Sequence, residues 1–260
     1  MTDQILVTHQ EHVMTITLNR PEKLNAMTVA MDQRINQLVF EINNDSTVRV
    51  VILTGAPGRA FCAGSDITDL DQYGSDWEYR NRFDARRDYA RAIHLIRKPV
   101  ICAIDGYCIG GGLEMACASD IRLATARSTF SAGEIRWGWH GGSGQTQLLA
   151  RLIGPGQASR LLLSGDQIDG TEAWRIGLVE LLATPEDLPS EALKLAQTIA
   201  SRPPIAVERT KYMVRVAQNV GLDAALLVEN DSFAYCMMTD DAAEGRAAFA
   251  EKRPPRFKGR

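Results

Sequence analysis

The sequence predicts an α/β fold, and three observations predict it. Short aliphatic runs, "VRVVILTG", "KPVICAIDG" and "DIRLAT", read as buried strands. Glycine-rich turns and helix-like apolar segments follow strands repeatedly, the pattern of a largely parallel sheet with crossovers. From about Leu188 the strand signals vanish and amphipathic helices dominate, at 188–201, 204–219, 221–238 and 241–251. A boundary near residue 200 therefore separates a core, residues 1–200, from a helical C-terminal region, residues 201–260.

The elements follow in order. "ILVTHQEHVMTITLN" reads as two strands around a turn near Gln10 and Glu11, with Met14, Ile16 and Leu18 alternating against Thr15 and Thr17. "RPEKLNAMT" is a loop whose Thr28 caps a helix. Met31, Ile35, Leu38, Val39 and Ile42 then recur at helical spacing. After "VRVVILTG" comes a turn at Gly55–Gly58, then "RAFCAGSDITDL". The charged, aromatic stretch Asp71 to Arg97 is expected to be helical, and "KPVICAIDG" returns to strand.

With 260 residues, 45% of them hydrophobic, the chain can bury a substantial core. A net charge of −3 does not advertise a nucleic-acid or membrane partner, though local basic clusters could still bind a small anionic ligand. The N-terminus lacks a basic-then-apolar signal pattern, and no run of about 18 apolar residues predicts a membrane span. Five scattered cysteines, Cys62, Cys102, Cys108, Cys117 and Cys236, include no C-x-x-C pair. They read as buried free thiols, which suits a reducing cytoplasm.

The segment "DGYCIGGGLEMACASD" asks for an explanation. Three consecutive glycines cost backbone entropy, and Glu114 lies in an otherwise apolar helical run. The register of a dinucleotide-binding turn fails, because Met115 stands where the third glycine belongs, and no phosphate-binding P-loop occurs. "GGSGQ" approaches a serine-hydrolase elbow around Ser143 but ends in Gln145. His9, His12, His94 and His140 show no metal-ligand spacing.

A glycine turn that feeds a helix leaves N–H donors free to meet a negative oxygen. "AFCAGSD", residues 60–66, supplies a second turn of the same kind, and one N–H from each would form an oxyanion hole. Glu114 and Glu134 would then flank it, two carboxyls able to divide acid and base work on a carbonyl compound. Two tight turns with ordinary helix-start and loop acids remain the simpler alternative.

At these residues the chain resembles the enoyl-CoA hydratase (crotonase) family. The likeness runs from "LNRPEKLNAMT" through "VILTGAPGRAFCAGSDITDL", "KPVICAIDGYCIGGGLEMACASDIRLAT", "GEI" and "LLLSGDQIDGTEAWRIGLVE" to "DDAAEGRAAFAEKRPPRFKG". The resemblance implies a crotonase-like spiral of ββα units, with a helical C-terminal region that forms trimers or dimers of trimers. It implies hydration of a 2-enoyl-CoA to a 3-hydroxyacyl-CoA through an enolate-like state, or alternatively 3-enoyl-CoA to 2-enoyl-CoA isomerisation or another crotonase-type reaction. A non-catalytic acyl-CoA-binding or RNA-binding relative is disfavoured by the two retained acids.

By the same resemblance the oxyanion donors are Ser65 and Gly111, and the catalytic acids are Glu114, acting on water, and Glu134, delivering a proton to Cα. Lys23, Leu24, Ala26, Ala63, Asp66, Ile67, Phe233 and Lys252 correspond to CoA-contacting positions. CoA belongs to the substrate, and neither a metal nor a redox cofactor is implied. The segment "EIRWGWHGGSGQTQ" departs from the family pattern: Trp137, Trp139 and His140 replace smaller residues, and a proline is absent. The tryptophans are expected either to shape the acyl pocket or to pack under their loop. Tyr73, Trp77, Tyr79 and Phe83 are candidates for the acyl tunnel.

Overall fold

The computed structural model describes residues 3–70 and 88–260. The expectations for Tyr73, Trp77, Tyr79 and Phe83 lie outside the described residues.

The chain opens with the expected hairpin. β1 (Ile5–Gln10) pairs antiparallel with β2 (Val13–Leu18) around Glu11, whose φ of 52° lies in the left-handed region. β3 (Val50–Gly55), β5 (Val100–Ile104), β7 (Ile121–Thr125) and β10 (Leu181–Ala183) extend this sheet in parallel, in the order β1-β2-β3-β5-β7-β10. A smaller sheet takes β4 (Ala60–Cys62), β6 (Tyr107–Ile109), β8 (Thr129–Ser131) and β9 (Gln167–Asp169) in that order.

Successive strands therefore alternate between the sheets: β3 then β4, β5 then β6, β7 then β8. Each passage is one turn of a spiral. Because β4 and β6 are parallel neighbours, the chain segments that leave them emerge side by side.

The helices cover the spiral. α1 (Val29–Asn44) begins where Thr28 Oγ1 accepts from Met31 N at 3.2 Å, and it buries Met31, Ile35, Leu38, Val39 and Ile42 as its periodicity requires. α2 (Ile67–Leu70) follows the first glycine turn. α3 (Tyr89–His94) is capped by Asp88, which accepts from Arg91 N at 2.9 Å. α4 (Gly111–Ala118) is buried along its whole length. α5 (Gln145–Ser164) breaks at Gly154 before Pro155, which cannot continue the hydrogen-bond ladder. α6 (Gly170–Arg175) is short.

α7 (Leu188–Ala200), α8 (Pro204–Ala217), α9 (Leu222–Met237) and α10 (Asp240–Glu251) match the four expected C-terminal helices to within two residues at each end. α7 packs Leu188, Ala192, Ala196 and Ala200 on one face of the large sheet, against Val50, Ile52, Ile101 and Leu123. The opposite face, with α1, α3, α4 and α5, encloses the main core.

Arg122 fixes the join between layers. Its guanidinium is buried, donates to Leu178 O, Ala116 O and Ser119 O over 2.8–3.1 Å, and pairs with Glu180 at 2.5 Å. Among the described residues, no helix is long and apolar enough to cross a membrane.

Candidate active site

The two glycine turns singled out in the sequence meet. A Cβ placed on Gly64 would lie 3.2 Å from Gly111 N. Ser65 forms a parallel bridge with Met27, in which Met27 N donates to Gly64 O and Asp66 N donates to Met27 O, both at 2.8 Å. Gly64 O and Ser65 N belong to one trans peptide group, whose C=O and N–H point oppositely, so the Ser65 N–H faces away from Met27. Gly111 is the first residue of α4, where an N–H has no acceptor within its own helix.

The glycines are required by close approach. Gly110 has φ +55° and ψ −121°, a conformation foreign to side-chain-bearing residues. A Cβ on Gly112 would lie 2.2 Å from Cys62 O, and one on Gly111 would lie 1.8 Å from Tyr89 Oη. The triple glycine thus lets α4 start against β4 and under the Tyr89 ring.

Both acids reach this junction. Glu114 sits in the first turn of α4 and is 5% exposed. Burial pushes its carboxyl up to about 7, the N–H groups of Ser143 and Gly142 oppose that rise, and the nearby Glu134 and Asp88 carboxylates add to it. Ser143 N donates to Glu114 Oε1 at 3.2 Å. Glu134 lies in a 3-10 turn, Gly133–Trp137, directly after β8. A Cβ on Gly110 would lie 3.2 Å from Glu134 Oε1, so the acid stands over the glycine turn.

Three neighbours, Tyr89, Asp88 and Gln145, escaped the sequence reading. Tyr89 Oη lies 2.9 Å from Ser65 Oγ, and burial holds its phenol well above the usual range, so it stays protonated. Ser143 Oγ donates to Asp88 Oδ2 in a short bond. A carboxylate partner rather than an imidazole argues against Ser143 as a hydrolase nucleophile. Gln145 Nε2 donates to Glu134 Oε1 at 3.1 Å. Tyr89 and Asp88 stand in a charged stretch without a motif, and Gln145 reads as an ordinary first helical residue.

Most positions matched to CoA contacts also gather here. Arg20 Nη1 donates to Ala26 O at 2.7 Å and to Asp66 Oδ2 at 3.0 Å, and Ala63 N donates to Leu24 O at 3.1 Å. The loop carrying Lys23, Leu24 and Ala26 is thereby tied to the Ala63–Ile67 turn. Phe233 on α9 and Lys252 at the end of α10 are exposed on the C-terminal helices. Trp137 and Trp139 are 74% and 52% exposed in this chain, so neither packs beneath its loop. His140 is also exposed, with Nδ1 2.8 Å from Gly141 O. Among the described residues, no group of three or more His, Cys, Asp or Glu side chains could hold a metal.

A two-sheet spiral whose glycine turns meet at a pair of carboxyls defines a crotonase-like α/β protein. The family model described as enoyl-CoA hydratase/isomerase matches residues 8–260, and the chain belongs to that family. It is 36% identical to a short-chain-enoyl-CoA hydratase of Clostridium acetobutylicum over 96% of each chain. It is 36% identical to a crotonyl-CoA hydratase of Syntrophomonas wolfei over 98% of each. A 2,3-dehydroadipyl-CoA hydratase of Escherichia coli is 35% identical over 99% of each. The crystal structure of an enoyl-CoA hydratase from Bacillus anthracis superposes with a TM-score of 0.93 at 35% identity, covering 99% of this chain and all of that one.

Proposed function

We propose that this chain adds water reversibly across the C2–C3 bond of a 2-enoyl-CoA to give a 3-hydroxyacyl-CoA. The N–H groups of Ser65 and Gly111 receive the thioester oxygen. Glu114 takes a proton from water as its oxygen attacks C3, and Glu134 delivers a proton to C2. Negative charge that accumulates on the thioester oxygen between these events is stabilised by the two N–H donors, which act where charge is largest. A base whose carboxyl is held up to about 7 suits proton transfer near neutrality.

The observation that carries this reading is the placement of both carboxyls at the Gly64–Gly111 junction. Lys23, Leu24, Ala26, Ala63, Asp66 and Ile67 would line the CoA path. Residues 201–260 form the oligomerisation region of a homotrimer or dimer of trimers. Exposed Leu222, Leu226, Leu227 and Met238 on and beside α9 support that role, since such apolar area is costly to leave in water. Phe233 and Lys252 would meet CoA across the subunit boundary. The free cysteines are in keeping with a reducing, cytoplasmic setting.

The test is a panel of short, long, branched and aromatic 2-enoyl-CoAs, followed by loss of enoyl absorbance and by product mass. Gain of one water on some members supports hydration. Binding without turnover, together with conversion of a 3-enoyl-CoA to its 2-enoyl isomer, would replace it with isomerisation.

A further inference from the structure

Gln145 is wholly buried at the first position of α5. Its Nε2 donates to Glu134 Oε1 at 3.1 Å and to Gly110 O at 3.4 Å. Both N–H bonds of one amide are thus spent, one on the acid and one on the glycine turn that starts α4. The opposite amide orientation would set the carbonyl against two acceptors, so these partners dictate which end faces Glu134. Among the described residues, Gln145 Oε1 and Glu134 Oε2 are buried without hydrogen-bond partners.

The effect of this amide on stability is mixed: its buried carbonyl without a donor costs stability, while its N–H groups serve Glu134 Oε1 and Gly110 O. Space is tight as well, since a Cβ on Gly141 would lie 2.3 Å from Gln145 Oε1. What the amide does achieve is asymmetry. It occupies one oxygen of Glu134 and leaves the other unengaged. It also ties the carboxyl to Gly110, the residue preceding the Gly111 donor.

We infer that Gln145 is a positioning residue for proton transfer: it fixes the Glu134 carboxyl against the oxyanion turn, in the orientation from which it exchanges a proton with C2 of the acyl chain. This rests on Glu134 being the C2 acid. The role separates orientation from binding, because Gln145 touches the acid and the turn rather than the CoA loop. Displacing a reacting group by about 1 Å can cost on the order of 100-fold in rate.

Two variants test it. In Gln145→Met the shape is kept and both amide groups are removed. The expected result is a lowered Tm, because Glu134 Oε1 loses its donor, a KM for 2-enoyl-CoA within about 3-fold, and a kcat per folded molecule lowered by roughly 10- to 100-fold. Exchange of the C2 proton of the 3-hydroxyacyl-CoA in deuterated water should fall in step with kcat. Gln145→Glu can donate to Glu134 only when protonated, so its kcat relative to wild type should rise as pH falls. Wild-type kcat and exchange in Gln145→Met would overturn the inference, while hydration by the native enzyme would leave the proposed reaction standing. If Gln145→Met fails to fold, a pH-independent ratio for Gln145→Glu overturns it instead. A native enzyme that neither hydrates nor exchanges removes the reaction and the inference together.

Discussion

Ser143 N donates to Glu114 Oε1 at 3.2 Å, and Ser143 Oγ donates to Asp88, so one serine joins the buried acid of α4 to the cap of α3. Even with this bond, burial dominates, and the Glu114 carboxyl rises to about 7 from an ordinary 4.5. The folded protein thus holds a proton there that the unfolded chain has released. Between about pH 4.5 and 7 stability falls as pH rises, and above 7 the loss is complete, on the order of 3 kcal/mol. Glu114→Gln keeps an acceptor for Ser143 N and abolishes that penalty. Its Tm relative to wild type should increase from pH 5 to pH 8 while turnover is lost. A Tm difference that stays flat with pH would refute the buried-acid account. In the native enzyme, kcat/KM for hydration should rise through about pH 7, as the base must be ionised to accept a proton.

Glu134→Gln removes the acidic proton but preserves shape. Turnover should disappear, while affinity for a CoA thioester should stay within a few fold of wild type by calorimetry. Unchanged turnover would dismiss Glu134 as the C2 acid.

Gly111 and Tyr89 make a coupled pair. Gly111→Ala would set a methyl group 1.8 Å from Tyr89 Oη. Overpacking of this kind costs about 1–3 kcal/mol, and here it also shifts the turn that carries a proposed oxyanion donor. A lower Tm and a loss of kcat are expected together. Tyr89→Phe removes the nearest atom, though the ring carbon Cζ remains 2.8 Å from the same point, so the double variant should recover only part of the stability. Additive losses in the double-mutant cycle would argue that the two positions do not press on each other.

Arg122 should be structural. Methionine in its place strands the Leu178, Ala116 and Ser119 carbonyls that the guanidinium now serves. Loss of such a buried network costs roughly 3–5 kcal/mol. Urea unfolding should show that loss, with kcat per folded molecule near wild type. A selective fall in kcat without destabilisation would instead tie Arg122 to the site.

Much of this was legible in the sequence because local pattern and tertiary demand agreed. Alternation in Met14, Ile16 and Leu18 marks β2, and helical spacing marks α1 and α7 to α10. The glycine turns and the two acids carry motif-level signals. Gln145, Tyr89 and Asp88 carry none. Their importance arises from apposition across more than one element, and Tyr89 matters because Gly111 has no side chain. The helix α5 runs through a Gly-Pro pair that ordinarily marks an end, since chain on both sides of the break packs on the same core. Of the two expectations for Trp137 and Trp139, packing under the loop fails, because their turn leaves both more than half exposed.

The cysteines permit a simple check of the packing around the site. Cys62, Cys102, Cys108 and Cys117 are buried, and desolvation raises each thiol, Cys62 and Cys117 to about 12. Thiolate is the reactive species, so at pH 8 these groups should be nearly inert. Cys236, on α9, is partly exposed. An aromatic disulfide reagent should therefore modify at most one thiol quickly in the native protein and all five after denaturation. Cys236→Ser should abolish the fast phase. Cys62 adjoins Gly112, and Cys117 lies on α4, so rapid native labelling of either would mean that the glycine turn opens on the timescale of the reaction. A turn that opens so readily could not hold its N–H donors preorganised, and the oxyanion assignment would fall with it.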